Sequence, residues 1–578
     1  MLVGGAVVGW QALQAKHDLV LSRSELQAAQ GAATGGDQLA ARSQLRAAQD
    51  HAHRANGRLT GWLWDAYAHL PIASARVREV RGLVQVTDAV TSQVLGPLVD
   101  SAPSRGSWSG RADLAVLRRT AGPLATADSR LSTARAMLAG LPDGHIGAVT
   151  RARGELSDAL AKLAVDVRDA SVATRVLPQL LGGDRPTRLL VVVQNQAEER
   201  ATGGLIGAYA ILQADNGRLS RIASGTDAQM IDADKPLVQL GQDFQDRYGE
   251  ARATSTWRSA NLTPDLRSAG AILGALSAKQ LRSPVDGVVL VDPVALGDVL
   301  RATGPVPAPG IGTLTADNAV QLLLSDVYKR YGAPSQQQAR KGALKNALDA
   351  VVTKLSAPLS GGGLVRELAR AAASGHVQIY ATDSTLEDAL VTSRVGGALP
   401  DGGPFLSLVT QDVGGSKLDY YLHRSITYDA APSPVAVDLG VGPETVEDAT
   451  ITVTLRNDAP TSGLPPYVTA RADTHGAPVG QLRSWVSIYL GPRSTYSSAT
   501  LDGQPVALSS GVERGLSVLS TYVDIDPGST VNLVLRVQQP APMGSSLLWR
   551  QQPRLAPDAL IVRRGAAKVA YRAVYAMS

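Results

Sequence analysis

Residues 189–222 read LLVVVQNQAEERATGGLIGAYAILQADNGRLSRI, and this stretch decides the fold. Leu189 to Val193 is an unbroken apolar run, the pattern of a buried strand. A polar, charged turn follows from Gln194 to Arg200 and leads into Thr202-Gly203-Gly204. A second apolar run, Leu205 to Leu212, meets Asp215-Asn216-Gly217. Asn and Gly tolerate left-handed backbone, so this tripeptide predicts a hairpin. Everything before the stretch reads as helix. Almost everything after it reads as alternating helices and strands, and then as strands alone.

The chain has 578 residues, enough for roughly three to four domains of about 150 residues. Hydrophobic residues make up 44% and aromatics only 4%, so its cores must be built from Leu, Val and Ala. A net charge of +5, from 56 basic and 51 acidic residues, is mildly basic. It suits an anionic membrane or polymer nearby. It does not suit a nucleic-acid binder, which clusters its charge. The absence of cysteine excludes disulfides, thiolate zinc sites, iron–sulfur clusters and cysteine nucleophiles. The histidines fall in no metal-ligand spacing, which argues against a histidine-based metal site.

The chain opens with MLVGGAVVGW, an apolar run that fails at Gln11 to Lys16. A spanning helix needs about 20 apolar residues. Three readings compete for residues 1–12: the trimmed end of a membrane anchor, a short signal core, or a buried terminal helix. The amphipathic polar helix that follows favours the anchor, with the rest of the protein on the extracytoplasmic side. Residues 13–30 and 37–70 are rich in Ala, Gln, Leu and Arg, all good helix formers, and Thr34-Gly35-Gly36 predicts a break between them. Further helices are expected at 72–95, at 112–139 with a break or kink at Gly122-Pro123, and at 146–177 before Pro178. Val149, Leu156, Leu160, Leu163 and Val167 form a heptad-like stripe. Breaks recur every few turns, so residues 13–183 read as an all-α helical stalk or bundle.

After the linker at Gly182 to Pro186, strands alternate with helices over residues 186–410, which predicts an α/β domain. Residues 224–260 form a polar stretch too long for a simple turn. Residues 416–578 carry short Val/Thr/Tyr-rich strands separated by Gly, Pro, Asn and Asp. They predict an antiparallel β-sandwich with a terminal hairpin over 547–571.

Three residue sets carry candidate chemistry. Glu199-Arg200-Ala-Thr-Gly203-Gly204 offers backbone amides and a guanidinium that suit a phosphate or carboxylate; the simpler alternative is a tight turn with a surface ion pair. Asp227 and Asp232, with Asp234 and Asp265, offer carboxylates for Mg²⁺; the alternative is a solvated loop and a helix cap. Lys329, Arg330, Arg340 and Lys341 suit pyrophosphate or an acidic glycan; the alternative is an exposed helix face. Trp485, Tyr489 and Tyr496 are the aromatics that a carbohydrate-binding sandwich would expose.

The run VVVQNQAEERATGGLIGAYAILQADNGRL resembles a large bacterial family, domain of unknown function 4012. So do VDGVVLVDPVALGDVLRATGPV and the helix pair over 315–355. Gln194-Asn195, Glu198, Arg200 to Gly204 and Gly207 carry the family pattern. A more distant likeness runs from Asp286 through Asp292-Pro293 to Gly304-Pro305-Val306, then Leu314-Thr315 and the basic Gln-rich helix. It is similar to the LytR–CpsA–Psr proteins, although Gly225-Thr-Asp227 stands where those proteins have Pro-Arg-Asp. That second resemblance implies an envelope protein that binds, and in its fullest form transfers, a polyprenyl-phosphate-linked glycan. Arg200, Arg330 and Arg340 with Gly203 and Gly204 would hold phosphates, and Asp227 or Asp232 would hold Mg²⁺. Membrane lipid, the cell-wall polymer and other envelope proteins would be its partners. Two non-enzymatic alternatives stand beside it: an envelope scaffold or protein-interaction module, and a carbohydrate-binding module.

Overall fold

The computed structural model describes residues 2–34, 37–71, 73–101, 108–282, 284–359, 363–433, 437–438, 443–474, 476–542, 545–564 and 571–573. Gly35 and Gly36, where a break is expected, lie outside them. The chain divides into two compact units. One is helical and holds residues 1–106 and 113–178; the other holds 107–112 and 179–578.

In the helical unit, α1 (Leu2–Thr34) is continuous from the apolar opening stretch into the polar one. No helix among the described residues is long and apolar enough to cross a membrane. Asp37 caps α2 (Gln38–Arg58) by accepting from the Ala40 amide, which satisfies an orphan donor of the first turn. α1 and α2 run antiparallel along a seam of small residues: Ala15, Ala41, Ala48, Ala52 and Ala55 are all buried. Asp18 is buried in that seam and held by Arg58 and Arg54. After α3 (Trp62–Ala68), α4 (Ser74–Val90) sends Leu83, Val86 and Val90 into a core shared with α5 (Leu114–Ala139) and α6 (Gly147–Leu180). Their spacing is one helical stripe. The break expected at Gly122-Pro123 does not occur. α5 passes through it, and the Thr126 hydroxyl donates to the Gly122 carbonyl in the turn that contains the ring.

The second unit is built on a five-stranded mixed sheet. Its strands are β1 (Thr187–Arg200), β2 (Gly203–Asp215), β3 (Arg218–Thr226), β4 (Gly287–Val291) and β5 (Val377–Ala381). The spatial order is β3-β2-β1-β4-β5, and β1 and β4 are parallel, Leu189 opposite Gly287. The expected hairpin forms, with Asn216 and Gly217 both at positive φ. On one face, α8 (Leu266–Leu281) packs Ile272, Leu273 and Leu276 over Leu190, Val192, Val288 and Leu290, and the loop carrying α7 (Gln242–Tyr248) joins this core. On the other face lie α9 (Pro293–Thr303), α10 (Gln337–Leu355) and α11 (Leu364–Ala373), through Ala295, Val352 and Ala371. Cover on both faces explains the unbroken apolar run of β1.

Two six-stranded sheets complete the unit and share one hydrophobic core. The central strands of the first are β6 (Phe405–Asp412), β9 (Leu482–Leu490), β11 (Leu516–Ile525) and β13 (Leu547–Arg550). The second has β7 (Leu422–Pro432), β8 (Val446–Asn457), β10 (Thr495–Leu501), β12 (Thr530–Pro540) and β14 (Ala559–Arg564). Among the described residues the expected terminal hairpin is not formed. β13 lies parallel to β6 in one sheet, and β14 lies parallel to β7 in the other. Every residue of β6 is buried. Leu406 and Leu408 face the shared core, while Phe405 and Val409 pack with Ala201 at the tip of the β1–β2 hairpin. The mixed sheet and the strand-rich part are joined through that strand.

Candidate functional site

The polar stretch read as a turn is strand. β1 continues through Gln194 to Arg200, with irregular register at Val193/Gln194 and between Asn195 and Glu199. The chain reverses only at Ala201-Thr202. Gly203 adopts φ 141°, and a Cβ on Gly204 would stand 2.3 Å from the Asn195 carbonyl. The glycine pair therefore lets β2 close onto an irregular, side-chain-crowded strand.

Each polar side chain of this strand reaches a different part of the unit. The Gln194 carbonyl oxygen accepts from the Thr202 hydroxyl at 2.7 Å and from the Asn261 amide at 3.0 Å. Asn195 donates to the Tyr328 hydroxyl at 3.0 Å. Gln196 donates to Asp292 at 2.8 Å; the same carboxylate caps α9 and meets His376 Nδ1 at 2.6 Å. Glu198 receives Lys417 Nζ at 2.7 Å. Glu199 receives Arg554 Nε at 2.5 Å and the Thr410 hydroxyl on its other oxygen, and its amide donates to Asp419 at 2.7 Å. Arg200 donates to the Asp412 carbonyl at 2.6 Å, and its own carbonyl accepts from Gln552.

Behind this first ring, Arg424 grips Asp558 with two hydrogen bonds, 2.6 and 2.7 Å, the strong bidentate form of the pair. Both side chains are completely buried. Burial pulls the Arg424 guanidinium down, and the Arg554 charge adds to that. For Arg554, burial pulls down as well, but Glu199 and Asp558 more than offset it, so it stays charged. Burial pushes the Asp412 carboxyl up to about 7 against the pull of Arg200. Burial and the Glu199 charge hold the Asp419 carboxyl well above its ordinary range. Buried ions persist only when paired and hydrogen-bonded, and this junction supplies partners from β6, β7 and the segments that follow β6 and β13.

The predicted ligand residues are placed as follows. Arg330 is exposed and donates to the Gly310 and Ile311 carbonyls at 2.9 and 2.7 Å. Arg340 is buried, donates to the Tyr331 carbonyl at 2.7 Å, and lies 3.7 Å over the Tyr467 ring. These two arginines brace one loop, because the Tyr331 hydroxyl also donates to Gly310. Arg200 sits at the β1–β6 junction. Arg200 bonds the Glu199 and Asp412 carbonyls, whereas Arg340 shares the Tyr467 ring with Lys417, the partner of Glu198. Asp227 pairs with Lys341 of α10 at 2.9 Å, and Asp232 accepts from the Trp257 amide at 2.9 Å, so these two carboxylates have separate neighbours. Among the described residues, no three His, Asp or Glu side chains group as metal ligands. Of the aromatics, Tyr489 is buried with its hydroxyl on Glu513, and Tyr496 is half-buried. Trp485 is half-buried and stacks on the exposed Tyr522.

Sequence reasoning missed Glu199, Asp412, Lys417, Asp419, Arg424, Arg554 and Asp558 as one assembly. Only Asp412 had a local signal: its Oδ1 accepts from the Gly414 and Gly415 amides, a turn pattern readable in Asp-x-Gly-Gly.

The family model described as a protein of unknown function (DUF4012) matches residues 184–328, the segment that opens with this strand. This segment belongs to that family. No curated protein and no solved structure matches the chain. Within the DUF4012 segment lie Gln194 to Gly204 and Asn261; Lys417, Asp419, Arg424, Arg554 and Asp558 lie beyond its end.

Proposed function

We propose that the chain is a non-catalytic scaffold or protein-interaction module of the bacterial cell envelope, held on the extracytoplasmic side of the membrane. One observation carries this reading: Glu198, Glu199 and Arg200, the charged side chains of the polar half of the DUF4012 strand, are each hydrogen-bonded within their own unit. A binding site keeps polar groups available to a ligand, whereas this strand uses them to tie the mixed sheet to the strand-rich part. On this reading the two terminal sheets act as a β-sandwich that offers partners its outer surfaces.

A LytR–CpsA–Psr-like role in binding a polyprenyl-phosphate-linked glycan, with Mg²⁺ on Asp227 or Asp232, is the competing proposal. It draws support from Arg330 and its exposed neighbour Lys329, and it needs Arg200 and Arg340 to leave their present partners. The carbohydrate-binding proposal draws on the Trp485–Tyr522 stack, rings 6.4 Å apart, since exposed aromatic faces suit sugar rings.

Thermal melting of the purified chain with millimolar pyrophosphate and Mg²⁺ separates the first two. The scaffold reading expects no shift in midpoint, and native mass spectrometry free of polyprenyl lipid. A rise of several degrees that Arg330→Ala abolishes would overturn it.

A further inference from the structure

We propose that one end of the helical unit docks on an anionic lipid surface, with Trp10 and Trp62 as its interfacial anchors. The inference stands on the helical unit alone and is independent of the scaffold reading, which stands on the second unit.

The α1–α2 register sets the geometry. Ser22 meets Ala48, Asp18 meets His51 and Arg58, and Gln11 meets Trp64. Antiparallel pairing on that register brings Trp10 level with the start of α3. Two tryptophans of α3 then diverge. Trp64 is buried, with its indole N–H donating to Gln11 at 2.7 Å, while Trp62 is 77% exposed. Trp10 is 59% exposed and Leu13 66%, and Val7 and Leu70 on the same two segments are exposed as well. Indole rings left in water at one end of a bundle are unfavourable for a protein surrounded by solvent. The headgroup layer takes both the apolar body of the ring and its N–H. An apolar patch of this kind lies in the interface rather than across the bilayer.

Charge selects the occupant. Residues 7–20 and 54–81 carry six Lys and Arg (Lys16, Arg54, Arg58, Arg76, Arg78, Arg81) against three acids (Asp18, Asp65, Glu79). Each acid has a partner, Asp18 in Arg58, the exposed Asp65 in Arg81, and Glu79 in the Gly144 amide, so Arg58 and Arg81 are taken up as well. Lys16, Arg76 and Arg78 remain exposed around the patch. A second copy of the chain on the same patch would set these cations against their equivalents. Anionic headgroups attract them.

Co-sedimentation of the full chain with vesicles of phosphatidylglycerol and phosphatidylethanolamine tests the proposal, with phosphatidylcholine vesicles as the neutral control. The expected result is binding to the anionic vesicles, weakened by salt. Trp10→Ser with Trp62→Ser should lower partition roughly tenfold at unchanged helical circular dichroism, and Lys16→Glu with Arg78→Glu should remove the preference for anionic lipid. Three outcomes would overturn it: the chain stays in the supernatant, the double Trp variant binds as well as the parent, or size-exclusion in the absence of lipid shows a dimer that this variant dissolves.

Discussion

The two halves of β1 are held by opposite means. Leu189 to Val193 is sandwiched between α8 and the helices of the other face, so water-exclusion fixes it. Gln194 to Arg200 is as deeply placed but carries two carboxylates and a guanidinium, and pairing fixes it. The first half tolerates any neighbour that is apolar and of the right volume. The second accepts only partners with matching charge and geometry. A single strand therefore depends both on its local helices and on segments from the far end of the chain.

The largest expected effect falls on the polar half. Glu199→Ala leaves the buried Arg554 with only its longer, 3.5 Å carboxylate contact, to Asp558, and removing one member of a buried pair costs about 3–5 kcal/mol. Denaturant unfolding of the second unit should register that loss. Pairing the change with Arg554→Met should recover part of it, since the poorly compensated charge goes too. A loss under about 1 kcal/mol for Glu199→Ala would mean that the pair is incidental.

Leu190→Ala makes the matching cut in the apolar half. Leu190 is fully buried, and such truncations cost about 2–5 kcal/mol. Both variants should shift the same cooperative transition. Two separate transitions would break the view of the mixed sheet and the strand-rich part as one block.

The smallest effect is conditional on pH. The Asp412 carboxyl lies near 7 in the folded protein, against an ordinary value of 3.8. Its stabilising contribution is therefore fully present below about pH 4 and lost as pH rises through about 7. Asp412→Asn keeps the Oδ1 that caps the Gly414-Gly415 turn and removes the charge. It should flatten the decline in stability between pH 5 and 8, worth on the order of 1–3 kcal/mol, as read by melting at both ends. A parallel decline in parent and variant would assign the pH dependence to other groups.

The apolar half was legible in the sequence for the same reason that it is robust: its cause is local. Alternation, caps and turns also made α8, α10, α11 and the Asn216-Gly217 hairpin readable. The polar half was misread as a turn because a run of Gln, Asn and Glu ordinarily means solvent. What buries it, the outer face of β6 and the segments around 410–424 and 550–558, leaves no mark within any window around residue 195. The same blindness affected Arg340. Its position near a helix end among basic residues suggests an exposed ligand, while its stacking on Tyr467 depends on a one-turn helix, Pro466–Thr469, far downstream.

The distance in sequence between Glu199 and Arg554 has a consequence for how the protein is made. Their separation is 355 residues, so at typical elongation rates the carboxylate leaves the ribosome roughly 20–70 s before the guanidinium does. Throughout that interval β1 cannot settle without burying an unpaired charge. The second unit is thus obliged to finish folding at the end of synthesis, and a nascent chain waits with its central strand half docked, in need of protection from association with its neighbours.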